Sequence, residues 1–222
     1  MNKHPLFLVF DEPLQQKLMQ QTRTVVIKKH QLLFLEGQEA DMIYFISTGL
    51  LKCLKTSSHG HETIFAIYGA KQFLALSVLF HSNPSYPVTA VALQETKLLG
   101  LPRPLLEAAI LSSTTATRAW FQTLNQRLET IQQLLTDQRF LDANQRFKKV
   151  MRQFIKWNAL PPTKEPTVKV SVPLSRQELA QYLGIRRETL SRMLALFQTE
   201  GHCVIESQMF ELSRDWLEQA LD

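Results

Sequence analysis

Residues Ser175 to Leu194 read SRQELAQYLGIRRETLSRML. Ser175 and Glu178 stand three apart, the spacing of a capping box, so a helix is expected to begin here and run to about Leu183. Gly184 supplies a tight turn. A second helix is expected from about Arg187 to Glu200, closed by Gly201 where helix ends favour glycine. Leu190, Met193, Leu194 and Phe197 share one face of it and can pack on Leu179, Tyr182 and Leu183. Arg187, Glu188, Ser191 and Arg192 share another, related by steps of three and four. Two guanidinium groups, a carboxylate and a hydroxyl on one exposed face suit the DNA major groove. Arg donates to guanine O6 and N7, Glu accepts from cytosine N4, and Ser adapts to several base edges. A surface helix laced with Arg–Glu pairs has the same composition. The position on the second helix of a capped helix–turn–helix favours DNA.

Downstream, CVIE (203–206) and MFEL (209–212) flank Ser207-Gln208 and read as a short β-hairpin. Ser213 can cap a last short helix through Trp216 and Leu217. Helix, tight turn, helix and hairpin is the layout of a winged helix-turn-helix. Upstream, an apolar helix is expected from about Asn144 to Trp157, then a Pro-rich break, LPPTKEPT (160–167), and a compact unit from Ser171 onward. Between Arg146 and Arg192 lie eleven basic and three acidic residues. The window carries +8 in a chain of net +5, so the remainder is −3. Lys148 and Lys149, inside that window, are read as phosphate partners. A basic segment in an otherwise slightly acidic chain suggests a local surface for phosphates, beside the plainer reading of a solvated helix face.

Further upstream, about Thr114 to Phe140, no Gly or Pro interrupts a helical stretch. Phe121, Leu124, Leu128, Ile131 and Leu135 step by 3, 4, 3 and 4 with polar residues on both sides, which is a heptad seam. The simplest partner is the same helix of a second copy. Residues 24 to 101 read as β: TVVIK (24–28), MIYFIS (42–47), LLKCL (50–54), TIFAIY (63–68), VTAVAL (88–93) and KLLGL (97–101). Gly37, Gly49, Gly60 and Gly69 fall between the earlier runs at spacings of 12, 11 and 9, which argues a small sandwich or barrel. Pro104 suits the first turn of the helix that follows.

Composition bounds the function. The chain has 222 residues, 45% hydrophobic and 20% charged, an ordinary globular balance. Two cysteines, Cys53 and Cys203, exclude a disulfide-dense scaffold, a four-thiolate zinc site and a cysteine-held iron–sulfur cluster. Both read as packing residues. The N-terminal run MNKHPLFLVFDEP is broken by Asp11 and Glu12 and does not read as a signal peptide. Phe73 to Phe80 is far below the roughly 18 apolar residues of a membrane span. The chain is expected to be soluble and cytoplasmic, with no membrane partner. No nucleophile–base pair or phosphate-cradling glycine loop stands out, so it is not read as an enzyme.

The whole pattern resembles the CRP/FNR family of bacterial transcription regulators. Glu36-Gly37-Gln38 with Met42 to Lys52 is similar to the family's first β-roll motif, SHGHETIFAI (58–67) to its next hairpin, and Ser175–Leu194 to its DNA-binding motif. The resemblance implies an α+β chain: an N-terminal β-roll sensor of the double-stranded jelly-roll type (1–112), a long dimerisation helix (113–140) and a C-terminal winged helix-turn-helix (141–222). Its implied DNA contacts are Arg176, Arg186, Arg187, Glu188, Thr189, Ser191 and Arg192. Its implied partners are double-stranded DNA, a second copy of the chain and RNA polymerase. Glu188, Ser191 and Arg192 resemble the Glu-x-x-Ser-Arg triad of the FNR-like branch, with TTGAT-like half-sites. Arg187 resembles the cyclic AMP receptor protein branch, with TGTGA-like half-sites. An inverted repeat with a central TGA in each half fits both.

The effector positions depart from the cyclic AMP-binding members. Where those carry Gly-Glu and Arg-Ser pairs, this chain has Ala75-Leu76 and Tyr86-Pro87. A nucleotide would lose its ribose acceptor and its phosphate's counter-charge, so cyclic AMP is not expected to bind. The FNR branch's N-terminal cysteine cluster is also missing, which argues against an iron–sulfur sensor. The apolar tract Phe73, Leu74, Ala75 and Leu76, with Tyr86 and Val88, is more similar to the denitrification-regulator subgroup, which is linked to haem and nitric oxide. His81 is then the candidate haem ligand, against the plainer reading of a surface-loop histidine. A small apolar effector, or none, is the other reading. His59 and His61 flank a predicted turn and read as solvated. The competing function, an effector-sensing β-roll without gene-specific DNA recognition, leaves the +8 window and the helix-turn-helix without a role.

Overall fold

The computed structural model describes residues 5–158 and 165–219. It separates into two compact units, residues 1–131 and 132–222. The boundary falls inside the long helix. Most of the Pro-rich break expected over 160–167 lies outside the described residues.

The first unit opens with two helices absent from the sequence reading, α1 (Pro5–Leu8) and α2 (Glu12–Gln21). Asp11 starts α2: its carboxylate accepts from the Leu14 N–H at 2.9 Å, and Pro13 sits in the first turn. The apolar run before it is core, since Leu6, Phe7 and Phe10 are buried and Phe7 stacks on Phe73 at 5.6 Å between ring centres. The strands follow: β1 (Arg23–Ile27), β2 (Leu32–Phe34), β3 (Met42–Thr48), β4 (Leu50–Thr56), β5 (Glu62–Gly69), β6 (Phe73–Leu74), β7 (Thr89–Ala92) and β8 (Thr96–Pro102). They form two four-stranded antiparallel sheets, ordered β1-β8-β3-β6 and β2-β7-β4-β5. This is the expected β-roll. Strands β2 and β6 were not anticipated, because two or three residues are too few to show alternation.

Gly49 makes the β3–β4 turn at φ +99°, and a Cβ there would come within 2.6 Å of the Thr96 Cα. Thr96 is itself fully buried, its hydroxyl donating to the Gln94 carbonyl at 2.9 Å while the Leu50 N–H donates to it at 3.2 Å. Then come α3 (Arg103–Leu111), with Pro104 in its first turn, and α4 (Thr114–Phe140), the expected long helix. At 1.5 Å per residue α4 is about 40 Å long.

The second unit contains the last turns of α4, then α5 (Ala143–Trp157), β9 (Thr167–Ser171), α6 (Arg176–Leu183), α7 (Arg187–Thr199), β10 (Cys203–Glu206), β11 (Met209–Ser213) and α8 (Arg214–Glu218). The hairpin of β10 and β11 is joined by β9 in a three-stranded antiparallel sheet, order β10-β11-β9. The compact unit therefore extends upstream of Ser171, to include β9 and α5. Val168 and Val170 are buried while Lys169 is exposed, an alternation whose partner strand lies some forty residues downstream.

Candidate DNA-binding interface

The helix-turn-helix is built by local hydrogen bonding. The Glu178 N–H donates to the Ser175 hydroxyl at 3.2 Å, and the Ser175 N–H donates to the Glu178 carboxylate at 2.7 Å, closing the capping box. Gly184 ends α6 in the left-handed region at φ +68°, where its N–H donates to the Gln181 carbonyl at 3.0 Å. Arg186 is the extended residue before α7, and no side chain caps that helix.

Leu190, Met193, Leu194 and Phe197 are buried on the inner face of α7. The back of that face is aromatic: Phe197 meets Trp216 edge-on at 4.7 Å and Phe147 at 5.6 Å. Arg186, Arg187, Glu188, Thr189, Ser191 and Arg192 are all exposed. Six of the seven sequence-derived DNA contacts thus lie together on one solvent-facing helix and its first turn. The Ser191 hydroxyl donates to the Arg187 carbonyl at 3.0 Å, so its oxygen faces solvent as an acceptor. The seventh, Arg176, is half-buried at the start of α6 with its guanidinium 5.2 Å over the Phe210 ring of β11. One of its Nη atoms is buried without a hydrogen-bond partner among the described residues.

The basic window is less available than its charge suggests. Lys148 and Lys149, read from sequence as phosphate partners, are both engaged within the protein. Lys148 is nine-tenths buried with its ammonium 4.8 Å over the Trp216 ring, and desolvation holds its pKa below the usual lysine range. Lys149 is paired with Asp137 at 2.5 Å. Arg146 donates to the Gln138 carbonyl, Arg152 to the Leu217 carbonyl, and Lys169 pairs with Glu211 at 3.3 Å. Lys156, Arg186, Arg187 and Arg192 are exposed, and three of these four are at the start of α7. Sequence counting missed this sorting because it depends on which acceptors the fold brings to each cation.

On α4, Phe121, Leu128, Ile131 and Leu135 are exposed, Phe121 at 58% and Leu128 and Leu135 at 57%. Leu124 is half-buried against the β-roll core. Leu134, outside the expected set, adds to the exposed apolar surface.

The geometry agrees with the comparisons. The family model for a cyclic nucleotide-binding domain matches residues 24–113, and that for a Crp-like helix-turn-helix domain matches residues 148–219. The chain belongs to the CRP/FNR family. It is a CRP/FNR-type transcription regulator with a helix-turn-helix DNA-binding domain. Its relatives include the anaerobic regulatory protein of Bacillus subtilis, 23% identical over 79% of this chain and 73% of the relative. The transcriptional activator protein Anr of Pseudomonas protegens is 26% identical over 78% and 69%. In fold it is similar to FixK2 from Bradyrhizobium japonicum, with a TM-score of 0.74 and 22% identity over 90% of this chain and 97% of that one. It is also similar to DNR from Pseudomonas aeruginosa, with a TM-score of 0.54 and 23% identity over 98% and 94%. No helix among the described residues is long and apolar enough to cross a membrane.

Within this CRP/FNR β-roll, Phe73, Leu74 and Tyr86 are buried, and Ala75, Leu76 and Val88 are half-buried. Ala75 adopts φ +65°, a left-handed conformation that costs an L-residue about 1 kcal/mol or more. Tyr86 is 1% exposed, stacks on Phe34 at 3.8 Å and donates its hydroxyl to the Met42 carbonyl at 2.9 Å. Burial pushes its phenol above the usual range. Every described histidine of this unit, His81 included, is exposed. The Cys53 thiol is buried and pushed up to about 12 by desolvation. No imidazole among the described residues of this unit is buried.

Proposed function

We propose that the protein is a homodimeric regulator that reads an inverted repeat with a central TGA in each half-site and uses neither cyclic AMP nor an iron–sulfur cluster. The observation that carries this reading is α7, whose inner face is buried in an aromatic core while Arg187, Glu188, Ser191 and Arg192 stand together in solvent. Arg192 takes a guanine through O6 and N7, and Glu188 accepts from the amine of the paired or adjacent cytosine. Ser191, its proton committed to the Arg187 carbonyl, serves as an acceptor for a base amine. Arg186 and the uncapped N-terminus of α7 face the phosphates, where a helix's positive end favours anions.

The dimer forms along α4, through Phe121, Leu128, Ile131 and Leu135. The cyclic AMP exclusion rests on Leu76 and Tyr86. A neutral, stacked and hydrogen-bonded ring stands where a phosphate would need a cation, and an unpaired buried phosphate is costly. The test is selection of bound sequences from a random library, followed by affinity measurement on the selected site. Recovery of inverted repeats centred on TGA is the expected result. Enrichment of no sequence would overturn the reading.

A further inference from the structure

We propose that the Asp137–Lys149 ion pair at the α4–α5 elbow is a specificity-determining latch that sets which half-site spacing the dimer accepts. This rests on the dimeric reading above. Asp137 is the single buried carboxylate among the described residues, 7% exposed, in the last turn of α4. Both of its oxygens are engaged: Lys149 Nζ of α5 lies 2.5 Å from Oδ2, and Gln133 Nε2 donates to Oδ1 at 2.8 Å.

The connection between the helices is Leu141 and Asp142 alone. The Leu141 N–H donates to the Asp137 carbonyl at 3.0 Å. Asp142 caps α5 through a reciprocal box with Gln145. Arg146 reaches back to the Gln138 carbonyl at 3.2 Å, one of those a helix end leaves open. The elbow is thus closed by one charge pair on a buried carboxylate and two capping contacts. Changing its angle would draw Nζ away from a carboxylate that is nine-tenths shielded from water, and an uncompensated buried charge is unfavourable. One angle is favoured for that reason. The apolar stripe of α4 continues to Leu135, two residues before the latch, while α5 packs its Phe147 on Phe197 of the reading helix. The elbow angle is therefore passed to the separation between the two reading helices of a dimer, which must match the helical repeat of DNA.

The experiment uses the full chain and a library of inverted half-sites whose spacers differ in length, with Asp137→Asn, Lys149→Met and the double variant. The wild type should accept one spacer. Each single variant should accept several and bind the preferred full site about fivefold more weakly, the scale of coupling between contacting residues. Binding to an isolated half-site and the sedimenting mass should not change. The double variant should be no worse than either single one, since the two residues act as a unit. Lys149 is the more exposed partner, so Lys149→Met gives the reading if Asp137→Asn does not fold. Wild-type spacer preference in the variants would overturn the latch, as would parallel loss of half-site and full-site affinity or additive losses in the double variant. A wild-type chain that sediments as a monomer would instead overturn the dimeric reading, before any variant is compared.

Discussion

Arg192 stands in solvent on a helix whose opposite face is locked into Trp216 and Phe147. Its removal should therefore act on recognition and not on folding. Arg192→Ala is expected to cost about 1–3 kcal/mol per half-site and to flatten the preference at one guanine, read as the ratio of specific to random DNA affinity. Equal weakening on both DNAs would make Arg192 a backbone anchor. Arg186→Ala should behave in that second way, weakening all sequences alike and reducing the slope of log affinity against log salt by about 0.9 for each phosphate lost. Lys148→Ala should leave that slope unchanged and lower the melting temperature, because its ammonium packs on Trp216. At Cys53, burial pushes the thiol up to about 12, so at neutral pH it is protonated and enclosed. Slow modification by a thiol reagent in the native state, and fast modification once unfolded, is the expected pattern. The sign for stability follows. The unfolded thiol ionises from about pH 8.5 and the folded one does not, so this group withdraws stability as pH rises above that value.

At the scale of elements, α4 and the start of α6 carry the predictions. Leu128→Glu places a charge in the middle of the exposed apolar stripe, whose side chain is not needed by its own unit's core. Sedimentation should show monomers and operator binding should fall with it. A variant that remains dimeric would place the interface elsewhere. Ser175→Ala removes one half of the capping box and should cost about 1 kcal/mol, seen as a lower unfolding midpoint of the DNA-binding unit. Both elements were legible in the sequence because each follows a local rule, a heptad step in one and a Ser-x-x-Glu box with a glycine stop in the other. The capping box at Asp142 and the N-cap at Asp11 obey equally local rules, but short polar residues before helices are common enough that neither stood out.

For the whole molecule, one chain carries both a β-roll and a helix-turn-helix, and the proposed exclusion of cyclic AMP is tested on the roll. Titration with cyclic AMP should give no heat and no change in DNA affinity, because Tyr86 is stacked and hydrogen-bonded in the core at the position where a cation would be needed. Micromolar binding there would overturn that assignment of the interior. Tyr86→Ala should instead destabilise the first unit by about 3–5 kcal/mol, as loss of a buried aromatic does.

By itself the sequence determined the order of the parts, the main strands of the roll, the long helix and the exposed polar face of α7. Those follow from periodicity, turn glycines and capping spacings, whose physics acts within a few residues. Only the tertiary structure decided which charges are available. Lys148 faces Trp216, 68 residues away, Lys149 meets Asp137 across an elbow, and Arg176 lies over Phe210, none of which spacing encodes. It also decided that Thr167–Ser171 is a strand and that Leu6, Phe7 and Phe10 are core, since a short segment takes its structure from a partner distant in the chain. A cation's role is set by the acceptors and rings around it, and long-range packing alone brings those together.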